Sequence, residues 1–347
     1  MRIGLVSSAV PLIQGGGRFI VDWLAPKLIE AGHQVETIWI PQTDDPETLF
    51  QQMLAFRLID LNDSCDRIIT FRPPAHVIPH HNKIVWFIHH FRAFYDLWQT
   101  EYCAVPNTEY WKSFRRTLMA ADTKALNEAR KVYTNSAVVG RRLKQFNGID
   151  SEVLYPPVMQ PERYFSVGYS DSVVMICRFE HHKRQHLAVE AMKYVKTPVR
   201  LHIAGMSSGE EEKYVHLLRK TVMQHRLANR VTLDYRWISE SEKISLLSSA
   251  LAAAYVPLDE DSYGYPTVEA ALASKCTITT SDAGGVREFV SDGVCGVITA
   301  ADPRSLAEAF DRLWSNRKHA GELGSGARAR VDELKISWAD VVRRLTG

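Results

Sequence analysis

Short apolar segments that alternate with helix-forming ones, and that restart once after a double proline, constrain this chain more than any other feature. Ile3–Val6 leads through a glycine loop, Gly15, Gly16 and Gly17, into a helical stretch from Phe19 to Ala31 and a second strand over Gln34–Ile40. Arg67–Thr70, Lys83–Ile88 and Val132–Asn135 read as further strands, with a long basic helical segment from Glu109 to Arg130. Strands and helices in strict alternation argue for a parallel, doubly wound sheet. Beyond Pro156 and Pro157 the pattern begins again: a strand over Val173–Cys177, a helix over Gln185–Val195, a strand over Val199–Gly205, a helix near Glu210–His225 and a strand over Val231–Asp234. The prolines mark a hinge between two α/β halves, 1–156 and 157–347, with a last helix at about 336–347 expected to pack back on the first half.

At 347 residues and 46% hydrophobic, the chain is long enough for two domains with a core each. A formal charge of +2 and the absence of any run of like charges give no footprint for nucleic acid. Its five cysteines, Cys65, Cys103, Cys177, Cys276 and Cys295, are odd in number and far apart, which indicates neither a disulfide framework nor a zinc site. A reducing, cytoplasmic location fits that usage. The first residues have no long apolar core of a signal peptide, and no stretch approaches the roughly 20 apolar residues of a membrane span, so the expectation is a protein neither secreted by that route nor integral.

Chemistry concentrates in the second half. An apolar strand over Leu251–Leu258 is expected to run into a loop in which Asp261 and Glu269 are separated by seven residues, across Gly264, Tyr265, Pro266, Thr267 and Val268. Pro266 stands where a helix begins, so the loop ends on a helix N-terminus whose backbone N–H groups and dipole suit a phosphate-bearing ligand. Glu269, placed in that first turn, would reach neighbouring hydroxyls. The bland alternative is an acidic loop with an ordinary helix cap. Arg178 and Lys183 follow the first strand of the same half. Arg can fork onto two phosphate oxygens and Lys supplies a compact charge, which together could neutralise a departing diphosphate. Taken alone, that pair reads as a solvated basic turn.

Arg178 and Lys183, the segment Ile203–Gly205, the spacing from Asp261 to Glu269, and Gly284–Glu288 occur in an order that resembles the second domain of family 4 retaining glycosyltransferases. Gly15 and Gly16, Leu24 and Ala25, Gly32 and His33, Asn135 and Ser136, and Leu154–Pro157 extend the resemblance over nearly the whole chain. It implies the GT-B fold, two facing Rossmann-like domains with the active site in the cleft between them. It also implies transfer of a sugar, here a hexose-type one, from a nucleotide diphosphate donor to a hydroxyl acceptor with retention and without a bound metal or cofactor, in cell-surface glycan or glycolipid synthesis. By the same resemblance Glu269 holds the ribose, Asp261 contacts the donor sugar, Arg178 and Lys183 bind the diphosphate, and Gly15, Gly16 and Gly205 let backbone approach the donor. The family has Glu more often than Asp at the first acid. His89, closing the Lys83–Ile88 strand, matches a histidine near the transferred sugar, with His90 the second choice; an aromatic loop packed over the core explains both equally.

Four rivals share these residues. Asp259 and Asp261 spell the Asp-x-Asp of a metal-dependent glycosyltransferase fold, which retained activity under chelation would separate from the metal-free scheme. A dehydrogenase is disfavoured because the first glycine loop does not have the Gly-x-Gly-x-x-Gly spacing. A non-catalytic nucleotide-sugar-binding protein, or an epimerase on the same fold, differs in product. The histidine doublets at 80–81, 89–90 and 181–182 do not make a metal site, since neighbours on a strand point apart. The acceptor, whether glycan, lipid-linked or small molecule, is left open. Between 110 and 144, Lys112, Arg115, Arg116, Lys124, Arg130, Lys131, Arg141, Arg142 and Lys144 lie beside Tyr110, Trp111 and Phe114. Such a face suits peripheral binding to an anionic membrane, and equally an ordinary solvated helix.

Overall fold

A computed structural model of the chain describes residues 1–11, 16–43, 45–100, 103, 105–207 and 212–347. It separates into two compact units, one comprising Met1–Pro157 with Ile336–Gly347, the other Val158–Lys335.

The first unit runs β1 (Arg2–Ala9), α1 (Gly16–Glu30), β2 (Gln34–Pro41), α2 (Leu49–Arg57), β3 (Arg67–Thr70), β4 (Lys83–Phe87), α3 (Glu109–Asn127), β5 (Lys131–Thr134), α4 (Ala137–Asn147) and β6 (Glu152–Val153). Its six strands are parallel in the order β2-β1-β3-β4-β5-β6. Central strands buried on both faces explain the near-continuous apolar runs; β4, for example, is buried at every position. Its Lys83 would be costly there. The ammonium instead donates to the carbonyls of His76, Ile78 and Ala125 and pairs with Glu128.

The second unit runs β7 (Ser172–Ile176), α5 (Gln185–Ala191), β8 (Arg200–Ala204), α6 (Glu212–Gln224), β9 (Val231–Asp234), α7 (Glu240–Ser249), β10 (Ala252–Ala254), α8 (Tyr265–Leu272), β11 (Thr277–Thr280), α9 (Val286–Phe289), β12 (Gly296–Thr299), α10 (Pro303–Ser315) and α11 (Arg317–Glu333). The order β12-β11-β10-β7-β8-β9, again all parallel, means the chain winds outward from β7 to β9 and then returns to β7's other side at β10. The carboxyl ends of β7 and β10 therefore flank a topological switch point, where doubly wound sheets bind ligands. The core beneath is apolar: Val173, Met175, Val189, Leu201, Ile203, Leu306 and Phe310 are all buried.

The terminal helix α12 (Trp338–Thr346) belongs to the first unit. Buried Arg67 donates to the Leu345 carbonyl at 2.6 Å, Tyr133 Oη to the Arg344 carbonyl at 2.9 Å, and Arg344 to the Val153 carbonyl at 2.8 Å.

Two elements end four residues before the sequence expectation. β10 stops at Ala254, not near Leu258, because the chain leaves the ladder after Tyr255, whose N–H still bonds the Ile278 carbonyl: Leu258 N–H bonds the His182 carbonyl at 2.8 Å and Asp259 N–H the Asp282 carbonyl at 3.0 Å, while Pro257 has no N–H to offer. α5 ends at Ala191, four residues early.

Candidate active site at the switch point of the second unit

Two loops meet where β7 and β10 end. The first, residues 177–184, carries Arg178 and, in a short 3₁₀ turn over His181–Lys183, Lys183. The second runs from Tyr255 to Gly264. Arg184, with φ of 54°, turns the first loop into α5 and clamps it to the second, its guanidinium donating to the carbonyls of Val256 and Pro257 at 2.8 and 2.7 Å and pairing with Asp282. A third loop closes in as Gly285 N–H donates to the Glu260 carbonyl at 2.7 Å.

The two cations occupy different environments. The Arg178 side chain is 46% exposed and pairs with Glu180 at 2.6 Å, whose other oxygen lies 3.3 Å from His182 Nε2. Lys183 is buried; its ammonium pairs with Glu260 and donates to Tyr255 Oη at 3.1 Å, and Tyr255 in turn donates to Glu260 Oε2 at 2.8 Å. Burial pushes the Glu260 carboxyl up, but the Lys183 charge and the bonds from Lys183 and Tyr255 outweigh it, leaving the group below the ordinary Glu range. Burial and the neighbouring carboxylate raise the Tyr255 phenol far above its usual value, so it acts as a donor. The acid that touches Lys183 is thus Glu260, one residue before Asp261, which is itself partly buried. Neither Glu260 nor Tyr255 was singled out from sequence. Their only signal was an extra acid beside Asp261.

Backbone freedom is needed at two of the expected glycines. Gly264 (φ 70°) precedes α8, and a Cβ there would lie 2.3 Å from the Tyr255 ring. Gly205 (φ 154°) ends β8 so close to the first loop that a Cβ would fall 2.1 Å from the Cys177 carbonyl oxygen. At the start of α8, Pro266 has no N–H and the Thr267 N–H is bonded to the Gly264 carbonyl at 3.1 Å. The terminus accordingly offers a phosphate fewer N–H groups than the sequence pattern suggests. Val268 is buried in the helix.

Glu269 lies in the second turn of α8, not the first, and is 4% exposed. Its Oε1 accepts from Lys243 of α7 at 2.6 Å; Lys243 also pairs with Glu240 at 2.8 Å, and Tyr164 Oη donates to Glu240 Oε1 at 2.6 Å. Burial raises the Glu269 carboxyl above its ordinary value against the pull of the Lys243 charge.

In the first unit, Gly15 lies outside the described residues and Gly16 opens α1. His89 is partly buried, and its Nδ1 is 2.8 Å from the His90 carbonyl, which can only accept, so Nδ1 carries the proton. His90 is a core residue: its Nε2 meets Asn147 Oδ1 at 3.0 Å, its ring packs 4.2 Å from that of Tyr95, and burial pulls its pKa down to about 4. Several cations of the 110–144 segment are engaged within the unit. Arg115 donates to the Phe94 carbonyl at 2.7 Å and lies over the Trp98 ring, Lys112 pairs with Glu109, Arg142 with Asp96, Lys144 with Asp150, and Lys131 with Glu152. Arg116, Lys124, Arg130 and Arg141 stay exposed, as does Tyr110. Among the described residues no group of three or more His, Cys, Asp or Glu side chains could hold a metal ion, and no helix is long and apolar enough to cross a membrane.

Residues 165–330 match the family model described as Glycosyl transferases group 1. The chain is 28% identical over 220 residues to the human alpha-1,3/1,6-mannosyltransferase ALG2; the match covers 57% of this chain and about half (52%) of that protein's length. Among solved structures, sucrose-phosphate synthase from Thermosynechococcus elongatus superposes with a TM-score of 0.77 at 17% identity, covering 99% of this chain and 97% of its own. Anabaena Alr3699/HepE, in complex with UDP, does so with a TM-score of 0.74 at 16% identity, covering 100% and 98%. The two parallel-sheet Rossmann-like units thus have the GT-B architecture.

Proposed function

Taking the chain as a glycosyltransferase of GT-B fold, we propose that it moves a hexose-type sugar from a nucleotide diphosphate sugar to a hydroxyl acceptor, with retention and without a metal ion. The observation that carries this reading is the pairing of a half-exposed Arg178 with a buried Lys183 on one loop at the β7/β10 switch point. Cations so placed suit a diphosphate, and their charge is worth most where burial lowers the local dielectric.

In the proposed reaction the bond between the anomeric carbon and the diphosphate oxygen breaks, and its electron pair stays on that oxygen. The acceptor oxygen bonds the same face of the anomeric carbon, and the hydroxyl proton passes to the departing phosphate. No enzymic nucleophile or general base is required, so catalysis rests on positioning and on stabilising the charge that gathers on the diphosphate. Arg178 and Lys183 have that role here, Glu269 binds the ribose, Asp261 the sugar, and His89 lies near the transferred sugar. The name of the human relative, a mannosyltransferase, favours a hexose, and the acceptor is proposed to be a glycan or lipid-linked hydroxyl of a cell-surface glycan or glycolipid.

A thermal-shift screen against UDP, GDP and their hexose conjugates tests the donor, because a ligand that binds the native state raises its melting point. The donor so found is then supplied with candidate acceptors in excess chelator. Transfer that persists is the expected result; transfer lost on chelation and restored by Mg²⁺ or Mn²⁺ overturns the metal-free scheme.

A further inference from the structure

We propose that Lys243 is the positioning residue that keeps Glu269 ionised and turns its second oxygen to a ribose hydroxyl. The proposal rests on the reading of Glu269 as the ribose-binding acid and adds what makes that role possible in a buried site. A carboxyl with 6% of its side chain exposed tends to hold its proton, and a protonated acid is a poorer acceptor for two sugar hydroxyls than a carboxylate. Lys243 answers both needs. Its ammonium is 2.6 Å from Oε1, and among the described residues it is the only side chain that hydrogen-bonds this carboxylate, so Oε2 is left for a ligand.

The lysine is itself held. Glu240, three residues earlier on α7, takes it at 2.8 Å, and Glu240's other oxygen accepts from Tyr164 Oη at 2.6 Å. Three separate stretches of chain, the segment before β7, the start of α7 and the second turn of α8, are therefore joined in one line of contacts, Tyr164 to Glu240 to Lys243 to Glu269. Glu240 and the phenols of Tyr164 and Tyr265 are the other titratable groups that act on or respond to the Glu269 charge, and Glu240 opposes its ionisation. Lys243 supplies the favourable charge. At 15% side-chain exposure the lysine is not a solvated surface partner, and such buried pairs are tightly coupled.

The test is calorimetric binding of UDP and GDP, each against its 2′-deoxy form, between pH 5 and 9. Wild type is expected to prefer the ribonucleotide by about tenfold or more at pH 7, the scale of one hydrogen bond to a charged group. The preference disappears as pH falls through the Glu269 pKa, since a protonated Glu269 no longer distinguishes the two. K243M should move that midpoint upward and abolish the preference at pH 7, with recovery at high pH, and K243R should restore it. E240Q should move it downward, because it removes the repelling acid and keeps the lysine; it also serves if K243M does not fold. A brace between α7 and α8 and nothing more would lower the melting temperature and leave both midpoints where they are, which overturns the proposal alone. A wild type that binds the nucleotides but ignores the 2′-hydroxyl at every pH overturns the ribose assignment and this proposal with it.

Discussion

Lys183 and Arg178 share a loop and a proposed ligand, yet their removal should be felt differently. Either change to Ala is expected to lower kcat by about 10²–10³, the scale for one preorganised group facing developing charge. Arg178→Ala should lower the melting temperature less than Lys183→Ala, because Arg178 is half-exposed and Glu180 keeps His182 Nε2 at 3.3 Å. Lys183→Ala leaves Glu260, whose side chain is only 20% exposed, without its cation and should cost up to about 3–5 kcal/mol, read by urea unfolding. Equal melting of the two variants would contradict the buried pair. Asp261 on the second loop and Glu269 on α8 separate in the same way. Glu269→Gln should weaken bare nucleotide diphosphate and intact donor alike by about 1.5–3 kcal/mol. Asp261→Asn should spare the bare nucleotide and lower kcat/KM for the whole donor. The reverse outcome would exchange their assignments.

Single elements carry the site because their ends are fixed by backbone chemistry. α7 is opened by a capping box: Ser239 Oγ accepts from the Glu242 N–H while the Glu242 side chain accepts from the Ser239 N–H. That bonding and Arg236 hold the Glu242 carboxyl down to about 2. Lys243 thus rises from a well-ordered first turn. At the end of β8, Gly205→Ala should cost about 2–4 kcal/mol, combining a disfavoured backbone region with an overpacked contact, since the new Cβ would meet the Cys177 carbonyl. The same carbonyl belongs to the loop that holds Arg178. Nucleotide binding in the Ala variant, measured at a temperature where it remains folded, should weaken as well; unchanged stability would show that the loops have room to part.

At the scale of the whole molecule, the two units have separate cores, and the chain returns to the first only in its last twelve residues, where Arg67, Tyr133 and Arg344 fasten α12. The proposed docking of the first unit on an anionic membrane rests on exposed cations and on Tyr110, 62% exposed at the start of α3. Arg115 is engaged by Phe94 and Trp98, so the informative change is Arg116→Glu with Lys124→Glu, both exposed on α3. Each cation near such a surface is worth about 1 kcal/mol, so salt-sensitive sedimentation with phosphatidylserine vesicles should fall sharply in the double variant. Binding indifferent to salt and to these charges would leave an ordinary solvated helix.

The alternation of strands and helices, its restart after Pro156 and Pro157, the loops that carry Arg178, Lys183 and Asp261, and the helix that carries Glu269 could all be read along the chain. Each rests on periodicity or on turn residues, which act over a few neighbours. Which side chains meet was decided elsewhere. Asp259, with φ of 44°, and the Gly285 N–H bond to the Glu260 carbonyl set the loop so that Glu260, not the better-spaced Asp261, takes Lys183. Lys243 reaches Glu269 across 26 positions, and His90 is drawn into the core while its neighbour His89 keeps part of its surface. No local pattern encodes such partners, because they follow from how helices and loops pack on a sheet, and a shift of one residue in a loop exchanges one acid for the next.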